Sequence, residues 1–186
     1  MQKRLILTLA LLMVATVINA QPVFVGGDSD TLWYYDTFER IHQVKFSPDD
    51  EYLAVAQNRS KAYLMNVSDG KIAKVFDEQS GDDTDWITTK SVEFVDKGEK
   101  KLLIVGSVDR ITPHIEIFEM NSGQKIKSLL EGIEDINEYC TIMKVVVSPD
   151  QSRLVGCFRC DYKSGGMIVW DTDTWEILYT AKHLSV

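Results

Sequence analysis

Three cysteines fall close together, at Cys140, Cys157 and Cys160, and the last two make a Cys-x-x-Cys spacing. That spacing suits a redox dithiol or half of a zinc site. The chain supplies no second ligand pair, and no proline or helical pattern follows Cys160, so neither chemistry is completed. Histidines stand only at His42, His114 and His183, scattered along the chain, and no nucleophile-elbow motif sets a serine beside a base. A nucleophilic triad needs that proximity. No catalytic residue, metal ligand or cofactor is assigned.

Carboxylates cluster at Asp28/Asp30, Asp49/Asp50/Glu51, Asp82/Asp83/Asp85 and Glu131/Glu134/Asp135. Solvated turns account for most of them. The run "SGDDTDW" (80–86) is long enough to gather a hard cation such as calcium, but it lacks the closing Glu of a calcium loop. Within it Trp86, beside Asp83 and Asp85, is the candidate contact with a binding partner, because aromatic anchors are favoured in interfaces. The competing role for Trp86 is to cover a sheet edge. Trp170 alternates with Ile168 and reads as core.

The elements that must carry these residues recur three times. The first set is "IHQVKF" (41–46), "YLAVAQ" (52–57), "KAYLMNV" (61–67) and "KIAKVF" (71–76). The second is "TKSVEF" (89–94), "KLLIVGS" (101–107), "HIEIFEM" (114–120) and "QKIKSLL" (124–130). The third is "TIMKVVV" (141–147), "RLVGCF" (153–158), "GMIVWD" (166–171) and "WEILYT" (175–180). Each run is short, rich in β-branched and aromatic residues, and bounded by Gly, Asp, Asn, Ser or Pro, which predicts strands joined by tight turns. "SPDD" and "SPDQ" hold the same place 101 residues apart, and "SDG" and "NSG" put glycine where a hairpin needs positive φ. Repeat spacings are 48 residues, Phe46 to Phe94, and 53, Phe94 to Val147.

A chain of 186 residues is long enough to bury a core, and 45% hydrophobic content argues against disorder. "MQKRLILTLALLMVATVINA" (1–20) has a charged start, an apolar run and a small residue at Ala20, the layout of a cleaved secretory signal. Its apolar run is shorter than the roughly 20 residues that span a bilayer. Its removal takes away Lys3 and Arg4, so the formal charge goes from −8 to −10. Such an acidic chain disfavours nucleic acid as a partner. The predicted location is secreted or periplasmic, with no transmembrane span after signal removal.

Four strands per unit at this period indicate β-propeller blades. On "VKFSPDDEYLAVA", "VVVSPDQSRLVGC" and "GMIVWDTDTWEILYT" the chain resembles WD-repeat-like and YVTN-like β-propeller proteins over 22–181. Only Trp170–Asp171 reproduces the Trp-Asp signature. The expectation is an all-β partial propeller: 1–20 as signal, then 21–186 as repeats. The repeats divide into an N-terminal half-blade (22–37, including "FVGGDSDTLWYYDT" at 24–37) and blades at about 41–76, 89–130 and 141–181.

Too few blades are present to close most rings, so the open ends call for a strained small ring, a second copy as homo-oligomer, or a longer parent chain. The resemblance implies a non-catalytic binding module or scaffold for a protein or peptide. Its alternative is a fragment or subunit of a propeller enzyme, lactonase or quinoprotein in type, with a channel site.

Export makes a disulfide possible. If Val147 pairs with Arg153 across "SPDQS", the antiparallel register sets Cys140 opposite Cys160 and leaves Cys157 free and buried. Three reduced core thiols are the alternative.

Overall fold

The computed structural model describes residues 39–59, 62–76, 87–110, 112–133, 136, 140–160 and 164–184. The chain divides into two compact units, 1–37 and 38–186, and every described residue belongs to the second. The predicted signal and half-blade lie outside the described residues.

Twelve strands follow one another: β1 (Ile41–Phe46), β2 (Tyr52–Gln57), β3 (Ala62–Asn66), β4 (Ile72–Phe76), β5 (Ile87–Lys97), β6 (Lys100–Asp109), β7 (Thr112–Glu119), β8 (Lys125–Ser128), β9 (Cys140–Val147), β10 (Arg153–Cys160), β11 (Ser164–Asp171) and β12 (Ile177–Leu184). They form three antiparallel sheets of four strands, each paired in simple sequence order. The expected three sets of four strands are therefore present.

The repeated turn explains why "SPD" recurs. Ser47 Oγ donates to Asp49 Oδ1 at 2.6 Å and accepts the Tyr52 N–H at 2.9 Å. Ser148 Oγ repeats both bonds, to Asp150 Oδ1 at 2.6 Å and from Arg153 N–H at 3.0 Å. Asp50 and Gln151 each take φ 58° at the same step of the turn. The serine and aspartate side chains offset that left-handed strain by satisfying the turn's own N–H groups.

These bonds also correct the hairpin register. Arg153 is tied back to Ser148 through both main-chain partners, so the ladder starts one residue later, with Leu154 opposite Val147 rather than Arg153.

Each sheet carries β-bulges at two repeat-equivalent places, and the third has a further register shift between Gly165 and Met167. The unpaired residues in the first strands are His42, Lys90 and Met143. Those in the fourth strands are Ala73, Ile126 and Leu178. The first set is spaced 48 and 53 residues, the same as the "SPD"-type repeat. A bulge strengthens local twist and turns its residue out of the pleat, which is why Ile126 and Leu178 stand half exposed.

The sheets pack face to face through two apolar layers. Ala54, Ala56, Ala62, Leu64 and Phe76 of the first sheet meet Val92, Phe94, Leu103, Val105, Phe118 and Met120 of the second. Phe76 and Phe118 meet edge to face, centroids 5.4 Å apart. The opposite face of the second sheet (Val95, Leu102, Ile104, Ile115, Ile117, Leu129) meets Ile142, Val145, Leu154, Phe158, Ile168 and Trp170 of the third. Burial of a large apolar side chain stabilises by about 1.5–3 kcal/mol, so these layers are what hold the sheets together.

Gly156 lets the second layer close. A Cβ there would lie 2.7 Å from Ile115 Cδ1 and 3.0 Å from Trp170 Cζ3.

Candidate functional site

The first strands β1, β5 and β9 lie side by side, each touching the next. A polar chain stitches them. Gln43 donates through Nε2 to the Val92 carbonyl at 2.9 Å and accepts from Ser91 Oγ at 2.5 Å. Ser91 Oγ in turn accepts the Val145 N–H at 3.1 Å. Gln43 and Ser91 each follow a bulge, which re-aims them from their own sheet toward the next. Farther along the same strands Lys45 pairs with the buried Glu93 at 2.9 Å.

The two ends of these strands differ in charge. At the "SPD" end, Asp49 is held by Lys101 and Ser47, which bring its pKa down to about 2. Asp150 is brought down to about 2 by Ser148 and the Ser152 N–H. At the bulged end Lys90 has its pKa lowered, first by burial and then by the cations Arg40 and Arg159. An acidic chain thus keeps a basic spot where its three first strands begin.

The sequence-derived site residues scatter. Trp86, Asp83 and Asp85 lie outside the described residues. Trp170 is fully buried, and Asp171 accepts from the N–H groups of Asp173 at 2.9 Å and Thr174 at 3.0 Å while pairing with Arg153. The Trp-Asp pair here is core plus turn. His42, a bulge residue, bonds Asn58 Oδ1 at 2.6 Å, and His114 is half-buried on β7, where desolvation lowers its pKa. Among the described residues no three His, Cys, Asp or Glu side chains gather as metal ligands would.

Cys140 and Cys160 stand opposite each other in the ladder and are joined by a disulfide. Cys157 is free but half exposed rather than buried. Its repeat equivalents, Ala56 and Gly106, face the sheet that follows, and the third sheet has no following sheet among the described residues.

The third sheet also carries a cleft of about 410 Å³. Ile133 and Ile136 of the segment after β8 form one wall. Phe158, Ile168 and Met167 form its floor, and Ile177, Thr180 and Ala181 of β12 its other wall. Beside it Ile177, Leu178 and Tyr179 are each about half exposed. The lining is mostly apolar and includes Gly165, Gly166 and the disulfide-bonded Cys160. Such a cleft takes apolar side chains and orients them by main-chain hydrogen bonds.

The sequence analysis missed this cleft. Its signal was present as Ile133 and Ile136, two apolar residues three apart in an otherwise acidic linker.

Comparisons with known proteins agree with the architecture. No family model matches the sequence, and no curated protein does. Among solved structures, that of the Dos1 propeller aligns with a TM-score of 0.62, covering 81% of this chain and 39% of that one at 16% identity. The fold is a partial β-propeller. The three sheets are its blades, and the chain spans about two-fifths of the length of that neighbour.

Proposed function

We propose that the chain is an exported, non-catalytic β-propeller module that binds a protein or peptide partner. The carrying observation is the apolar cleft of about 410 Å³ on the third blade, flanked by half-exposed Ile177, Leu178 and Tyr179. Contiguous exposed apolar surface of this kind marks interaction sites in folded proteins. Trp86, flanked by Asp83 and Asp85, serves as a further loop contact. The net charge of −8 disfavours nucleic acid.

Export is supported by the charged-apolar-small layout of 1–20 and by the Cys140–Cys160 disulfide, which persists in oxidising compartments. Among propellers, the Trp170–Asp171 pair and the "SPD" turns support a likeness to the WD-like and YVTN-like kinds.

A random peptide library displayed on phage tests the reading. Panning against the folded protein should enrich peptides with a common apolar residue, and Thr180→Glu, at an exposed position of the cleft, should lose them while the melting curve stays unchanged. Failure to enrich any sequence overturns the reading.

A further inference from the structure

Among the described residues the fourth strand of each blade is an edge, paired only to the third strand. An unprotected edge offers a row of free N–H and C=O groups to any extended chain, and folded proteins blunt such edges with short strands and lysines. The first two blades do so. β4 is five residues long and carries Lys74 opposite Leu64; β8 is four residues long and carries Lys127 opposite Ile117. At the equivalent position of the third blade, opposite Val169, stands Tyr179. β12 is eight residues long; its stretch "ILYTA" (177–181) contains no charge, and Lys182 follows within the strand, in a second register shift between Ala181 and Leu184. The cleft lies along this strand, walled by its Ile177, Thr180 and Ala181.

We propose that β12 is a strand-addition site: an uncharged extended peptide pairs with its free edge and lodges an apolar side chain in the adjoining cleft. The second blade is the internal control, since the same fourth-strand position there is the exposed Lys127; in the first blade it is Lys74, whose ammonium also bonds the Met120 carbonyl of the second blade. Main-chain pairing would supply affinity, and the cleft would select the residue that fills it. The proposal rests on the peptide-binding reading above and specifies how the partner is held.

The test uses the full chain and a fluorescein-labelled heptapeptide of alternating threonine and valine with a central leucine, followed by anisotropy. Two further versions are N-methylated on one or the other set of alternate amides. Wild type should bind the unmodified peptide and one methylated version, and bind the other at least tenfold more weakly, because only alternate amides face a paired strand. Tyr179→Lys, which installs the residue of the sister blades, should weaken binding at least tenfold with an unchanged melting curve. Tyr179→Thr, uncharged and strand-compatible, should stay within about threefold.

Equal binding of both methylated versions overturns strand addition and leaves the binding-module reading standing. Unchanged binding by Tyr179→Lys overturns the assignment to β12. No binding of the unmodified peptide also overturns strand addition, while the module reading then stands or falls with the phage panning. A dimer in light scattering that Tyr179→Lys dissolves makes a second copy the occupant and overturns the peptide proposal.

Discussion

Cys140 and Cys160 face each other across β9 and β10 because Met143 bulges out of the ladder between them and the hairpin. From the turn, Leu154 pairs with Val147, a register that would leave Cys160 opposite Thr141. The extra residue at Met143 brings the two back into opposition. The bond closes a loop of 20 residues in sequence. Replacing both cysteines with alanine should cost about 3 kcal/mol, the loop-entropy value for this length. Urea unfolding of the variant and of the wild type measures it. A difference below 1 kcal/mol would mean the strands alone hold this hairpin.

Gly156→Ala should destabilise the interface between the second and third blades. The added methyl meets Ile115, Trp170 and Phe158, all closer than ordinary contact. Overpacking of this kind costs about 1–3 kcal/mol. The loss should appear as a lowered denaturation midpoint, and Ile115→Val in the same chain should recover part of it by removing the atom in closest contact.

The stitch through Ser91 gives a separate expectation. Ser91→Ala removes the partner of Gln43 Oε1 and leaves the buried Val145 N–H without its acceptor. An unsatisfied buried donor costs about 1–3 kcal/mol. Hydrogen exchange at the Val145 amide should accelerate in the variant, and an unchanged rate there would refute the link between blades.

Acid and neutral pH should affect stability in opposite senses through different groups. Asp49 and Asp150 have folded pKa values of about 2 against an ordinary 3.8, so their contribution is present above about pH 4 and fades as pH falls toward 2. Glu116 runs the other way. Burial, and then the Glu131 charge, raise its pKa from 4.5 to about 7. Its contribution is full below pH 4.5 and is lost as pH rises through 7. Glu116→Gln should therefore flatten the melting temperature between pH 5 and pH 8, and an unaltered slope would refute the assignment.

The strands and their order were legible because alternation and turn residues act locally. "IHQVKF", "YLAVAQ" and the two "SPD" turns announce themselves within six or seven residues. The bulges were not legible. His42, Lys90 and Met143 share no side-chain chemistry; what they share is a place in the ladder, set by how each blade twists against the next. Register inferred from the turn alone was therefore off by one at Val147, yet it still set Cys140 opposite Cys160, since the bulge restores the count. The cleft was hidden for a related reason. Its walls come from a linker and a fourth strand some 40 residues apart in sequence, Ile136 and Ile177, brought together only by packing around the third sheet.

Several of the ties between blades run from a side chain on one to main-chain atoms on another. Gln43 reaches the Val92 carbonyl, Lys74 the carbonyls of Met120 and Asn121, Ser91 the Val145 N–H, and Gln151 the Asp96 N–H. A peptide group is the same whatever residue bears it, so the receiving position is at liberty to mutate without breaking the joint. Joints of this kind let the letters change while the shape is kept, in keeping with a chain that superposes on a propeller at 16% identity.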